Sequence, residues 1–136
     1  PWGARAVHGI TDAMVKGHRI DAGRATALLA AADLRLAHNS GFDKGFVAQV
    51  IPGSEDLLWG CTCRGIPWKR LDPRVPSMSL QDLSRHFGTP RGTAHRALGD
   101  VETTLALVAS PRLEDGHAFQ RELLHTKLRR SRRKRE

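Results

Sequence analysis

Only two stretches of this 136-residue chain read as β-strand, Leu34 to Ala37 and Leu57 to Cys61. Each is a short apolar run bounded by polar or turn residues, the pattern of a strand buried beneath other elements. Two strands make a poor scaffold, because their edges leave backbone donors and acceptors unpaired. Such a chain must cover its sheet with helices, pair its edges with another chain, or both. The remaining pattern is mostly helical. Residues 1–11 read as extended chain or loop, with Gly9 allowing a tight bend. Asp12 is placed to cap a short turn through Val15, and Asp21 to cap an alanine- and leucine-rich helix from Ala22 to Ala32. A helix starting at Ser40 or Gly41 sets Phe42, Phe46, Val47 and Val50 on one face and stops at Pro52-Gly53. Residues 64–71 are ambiguous, and Pro73 and Pro76 mark a loop. Ser79 caps Leu80 to Phe87, with Gly88 as its stop. A helix follows from about Arg96 to Ala109, and residues 113–129 are expected to form a last one. The order helix, strand, helix, strand, helix, helix implies an α/β layer arrangement.

Charge is unevenly placed. The net +8 comes from 22 basic and 14 acidic side chains, and seven of the cations lie between Lys127 and Arg135. Without residues 127–136 the balance falls to 15 basic against 13 acidic, or +2. A run of this kind gains affinity for phosphates by releasing counterions, without sequence preference. The alternative is a solvated end with no partner. Cys61 and Cys63 are the only cysteines. A disulfide across one residue is strained, and one Cys-x-Cys pair is weak evidence for zinc, so free buried thiols in a cytoplasmic protein are expected. No run reaches the length of a membrane span and no signal peptide is visible.

The chemistry-bearing residues sit in two segments, His38-Asn39-Ser40-Gly41-Phe42-Asp43 and His95-Arg96-Ala97-Leu98-Gly99-Asp100. Each puts a carboxylate beside a polar turn at the start of a helix, where the positive end of the helix dipole keeps it ionised. Two carboxylates and an imidazole can bind hard cations and activate a water. Asp100 falls at the edge of an apolar stripe expected to comprise Ala97, Val101, Thr104 and Val108. His95 would diverge from it by about 140° on one continuous helix, so the two converge only if His95 lies in the preceding loop. Taken singly, each acid also reads as an ordinary helix-start residue and the histidine as a solvated one.

Together with Val7 to Thr11, Cys61-Thr62 and Ser79 to Leu83, these segments resemble the DEDDh (DnaQ-like) 3′–5′ exonucleases in order and spacing over about residues 5–110. The resemblance implies a ribonuclease H-like α/β fold with a mixed sheet flanked by helices. It divides the chain into a partial exonuclease domain over 1–110 and a C-terminal helix with basic tail over 111–136. It further implies metal-dependent hydrolysis of DNA or RNA from single-stranded 3′ ends, in replication or repair. His95 is then the catalytic base, and Asp43 and Asp100 are ligands to Mg2+, with Mn2+ as a substitute, in a two-ion site. His8, Ile10, Asn39 and Phe46 are the substrate-side candidates. The family opens on an Asp-x-Glu strand motif that does not precede His8 here, so the expectation is an N-terminally truncated domain of impaired activity. Asp100-Val101-Glu102-Thr103-Thr104 copies that opening motif only superficially, because residues two apart diverge by about 200° on a helix.

A competing class is a non-catalytic nucleic-acid-binding module relying on the basic tail. Another is an interaction module that offers its open sheet edge to a partner protein or to a second copy. Trp2, Trp59 and Trp68 are candidates to stack on bases, though large apolar residues beside strands more often fill the core.

Overall fold

The computed structural model describes residues 2–110. Along them run α1 (Trp2–His8), α2 (Asp12–Val15), α3 (Ala22–Ala31), β1 (Arg35–Ala37), α4 (Ser40–Val50), β2 (Trp59–Cys61), α5 (Thr62–Gly65), α6 (Trp68–Leu71), α7 (Leu80–His86) and α8 (Ala97–Ala109). A 3-10 turn at Ser54–Asp56 precedes β2. The described part is thus helix-rich with one small sheet. The helix expected over 113–129, and the 111–136 tail, lie outside the described residues.

β1 and β2 pair in parallel, with Arg35 opposite Trp59, Leu36 opposite Gly60 and Ala37 opposite Cys61. Parallel neighbours need a crossover, and α4 supplies it while packing on both strands. Gly60 leaves room for the Leu36 side chain, which would have to shift from a Cβ that came within 2.6 Å of it. The expectation of a buried first strand is corrected. β1 is half-buried and Leu36 is exposed, since among the described residues this strand has a neighbour along one edge only.

Three further local expectations are corrected. Residues 2–8 are helical rather than extended, and Gly9, at φ 66°, is the left-handed stop of that helix, its N–H on the Arg5 carbonyl. Thr11, not Asp12, caps α2: its extended backbone lets the hydroxyl accept the Met14 N–H at 3.3 Å. Both thiols are free and half-buried rather than buried, Cys63 within α5. Other caps are as expected. Asp21 accepts the Arg24 N–H at 2.9 Å to start α3, and Ser79 accepts the Asp82 N–H at 3.2 Å to start α7.

The core gathers Ile66, Trp68, Val75, Leu83, Leu107 and Val108, with Leu71, Met78, Leu80 and Phe87 packed around them. It therefore sits between α6, α7 and the C-terminal half of α8. Two of the tryptophans are structural. The Trp68 indole N–H donates to the Thr62 carbonyl and the Trp59 indole N–H to the Ser54 carbonyl, both at 2.8 Å. Trp68 is wholly buried and Trp59 nearly so, which closes them to base stacking.

The packed side of α8 also departs from the expected stripe. Gly99, Thr103, Leu107 and Val108 are buried, whereas Val101 is exposed. The cause is a close backbone approach. Gly92 and Thr93 lie directly on Gly99, and a Cβ on Gly92 would come within 2.5 Å of the Gly99 Cα. The glycine pair lets a loop seat on the helix and rotates the buried face toward it.

Candidate nucleic-acid interface

α7 is held at both ends by polar side chains. At its start the Ser77 hydroxyl donates to Asp82 at 2.6 Å, and Arg85 pairs with the same carboxylate at 2.6 Å. These hydrogen bonds, Ser77 first, hold the Asp82 carboxyl below its ordinary value. At its end His86 Nε2 meets Asp72 Oδ2 at 2.9 Å. Asp72 also accepts from the Arg74 backbone N–H at 3.0 Å and from its guanidinium at 2.9 Å through both oxygens. Hydrogen bonds from Arg74 and then His86 keep this carboxyl far below the usual carboxylate range. The cluster ties the end of α6 to the end of α7.

Residues 87–96 link α7 to α8 as an ordered loop. Gly88 turns at φ 64°, and Thr89 returns to Ser84 through its N–H at 3.0 Å and its hydroxyl at 2.8 Å. The Gly92 N–H donates to Thr103 Oγ1 at 2.9 Å, and that hydroxyl donates to the Gly99 carbonyl at 2.7 Å. His95 adopts φ 58°, unusual for a side chain other than glycine, and its N–H reaches Asp100 Oδ1 at 3.3 Å. Arg91, His95 and Arg96 stand exposed on this loop just ahead of α8. Arg74 and Arg85 are taken up in ion pairs. Besides Arg70, exposed at the end of α6, the exposed cations of this region outside those pairs sit at the entry to α8, on the side to which the helix dipole adds.

His95 lies in the loop, the position that convergence with Asp100 would need. Asp43 and Asp100 occupy the first turns of α4 and α8. Burial holds the pKa of His38 below its ordinary value, against the smaller upward pulls of its Met78 hydrogen bond, Asp100 and Asp43. His38 itself is a junction: Nδ1 meets Thr62 Oγ1 at 2.9 Å and Nε2 meets the Met78 carbonyl at 2.8 Å. Its own carbonyl accepts the Cys63 N–H at 2.9 Å and the Cys61 thiol at 3.3 Å. Burial pushes the Cys63 thiol up.

The substrate-side candidates are not gathered by any described hydrogen bond. His8 Nδ1 accepts the Ile10 N–H at 2.9 Å, a local turn. Asn39 precedes α4 without a side-chain cap, and Phe46 is exposed against Phe42 at 4.7 Å between ring centroids. Among the described residues no group of three or more His, Cys, Asp or Glu side chains is placed to hold a metal ion. Arg91 and Arg96 are absent from the sequence-derived candidates. The signal was Arg91 within the Thr-Pro-Arg-Gly-Thr turn and Arg96 at the entry to the helix that follows.

The family model of the IclR helix-turn-helix domain matches residues 70–101, from the end of α6 through α7 and the connecting loop into α8. No curated protein and no solved structure matches the chain. The match corrects the exonuclease reading. It likens the segment carrying Ser79 to Leu83 and His95 to Asp100, two of the five motifs behind that resemblance, to a DNA-binding helix-turn-helix rather than to a nuclease. The structure gives these residues local work: Ser79 caps α7, and Asp100 holds the loop ahead of α8. The 3′–5′ exonuclease activity, the enzyme assignment and the hydrolase class fall with the resemblance. In a helix-turn-helix the two helices are joined by a turn of about 3–4 residues. Here the 87–96 connection is longer, and it is braced onto α8 by Gly92 and Thr103.

Proposed function

We propose that the chain is a non-catalytic DNA-binding module, with residues 70–101 as its binding unit. The match of that segment to a helix-turn-helix domain carries the reading. The exposed Arg91 and Arg96 at the entry to α8 bind phosphates, aided by the helix N-terminus behind them. In the sequence, the cations of residues 127–136 add counterion release. Duplex DNA is the proposed partner, in the cytoplasm, and single-stranded DNA or RNA ends are weaker competitors. No helix among the described residues is long and apolar enough to cross a membrane.

Fluorescence anisotropy of a labelled duplex titrated with the full chain, repeated across a salt series, tests this. Saturable binding is expected, with affinity falling steeply as salt rises. The double variant Arg91→Ala, Arg96→Ala should flatten the logarithmic salt slope by about 2, one for each phosphate that the loop no longer neutralises. No binding at low salt, or binding untouched by the double variant, would reject the assignment.

A further inference from the structure

Cys61 and Cys63 are a pair of thiols that the DNA-binding reading leaves unused. Thr62, the residue between them, is the first of α5. Across one helical residue two Cα atoms stand about 5.5 Å apart, inside the roughly 4.4–6.8 Å over which paired sulfurs can meet. The Cys61 thiol donates to the His38 carbonyl at 3.3 Å, and the Cys63 thiol to the Met78 carbonyl at 3.6 Å. Neither carbonyl depends on its thiol. The Cys63 N–H also donates to the His38 carbonyl, at 2.9 Å, and His38 Nε2 to the Met78 carbonyl, at 2.8 Å. Either sulfur can therefore turn to another partner without leaving a carbonyl unsatisfied, the usual cost of moving a buried donor.

Both thiols are free and half-buried, which leaves them within reach of a small ion. The sulfurs also act on each other. Burial first, and the neighbouring Cys61 next, hold the Cys63 thiol above its ordinary value. Thiolate donors select soft ions. Structural zinc takes four ligands, and the adjoining His38 already has its two ring nitrogens on Thr62 and Met78. A soft monovalent ion, Cu(I), is satisfied by two thiolates.

We infer that Cys61 and Cys63 form a two-sulfur site for Cu(I), where the end of β2 meets the start of α5. Both thiols give up their protons to the ion, so its affinity rises with pH. The inference is independent of the DNA-binding reading, because neither cysteine lies within residues 70–101.

The test titrates the reduced full chain, without oxygen, against Cu(I) held by a chromophoric chelator. The chain should withdraw one ion per molecule, and hold it more tightly as the pH is raised. Bound Cu(I) should protect both cysteines from alkylation by iodoacetamide, read by mass spectrometry on the wild type. Cys61→Ser and Cys63→Ser keep a hydroxyl that can donate to the same carbonyls. Each should weaken the ion by on the order of 100-fold, the gain that a second tethered donor gives. Failure to compete with the chelator, alkylation at an unchanged rate, or affinity retained in either serine variant overturns the site.

Discussion

Asp72 accepts four hydrogen bonds from Arg74 and His86, and each favours the ionised carboxylate. Its folded pKa is therefore depressed below the value near 3.8 that it regains on unfolding. The stability this supplies is fully present above that unfolded value and is lost as the pH falls through the folded one. Urea unfolding of wild type and Asp72→Asn should show the wild type more stable at neutral pH, with the gap closing below 3.8. A gap that stays constant with pH would assign the effect to packing instead. Gly99 makes a different kind of demand. A methyl group there would come within 2.6 Å of the Thr93 backbone N, and backbone cannot swing aside as a side chain can. Gly99→Ala should cost about 1–3 kcal/mol of unfolding free energy, as overpacking usually does.

Elements depend on these residues for their ends. α7 is only seven residues long, so its capping hydrogen bond is a large share of what holds it. Ser79→Ala should lower stability by about 1 kcal/mol in urea unfolding. α8 is entered through a loop whose shape rests on Gly92, Thr103 and the Asp100 carboxylate. Asp100→Ala should loosen the loop without abolishing duplex binding, because a phosphate-binding loop gains nothing from an adjacent negative charge. It should also speed amide exchange at His95, whose N–H is then left without its acceptor. Abolished DNA binding in Asp100→Ala would contradict this role for the carboxylate.

Over the whole molecule, apolar burial is concentrated at one end of the described fold. Trp68, Leu83, Leu107 and Val108 close a core around α6 to α8, while Phe42, Phe46 and Leu36 remain exposed around the sheet. Exposed apolar side chains beside unpaired strand edges favour association. Sedimentation velocity should give a mass that rises with protein concentration; a concentration-independent monomer would show that these surfaces stay apart. The basic run adds a second, separable contribution to DNA affinity. Deleting residues 127–136 should reduce both affinity and its salt dependence, yet leave the effect of Arg91→Ala, Arg96→Ala in place.

What could be read along the chain was whatever neighbouring residues decide among themselves. Asp21 and Ser79 announced their helices because a cap bonds three residues ahead, and Pro52-Gly53 announced the end of α4. Helix geometry alone set the condition that His95 could meet Asp100 only from the preceding loop, where it lies. Whatever depends on distant chain was hidden. The buried face of α8 turns on Gly92 and Thr93 meeting Gly99, His38 bonds a carbonyl 40 residues away, and Asp72 pairs with a histidine 14 residues on. The exonuclease resemblance failed for a related reason. Its motifs are short, and residues such as Ser79 and Asp100 cap and brace helices in this fold whatever chemistry the pattern suggests. Local sequence marks where α3, α4 and α7 start or stop. Packing between segments far apart in the chain decides which side chains face solvent, and so which of them can meet DNA.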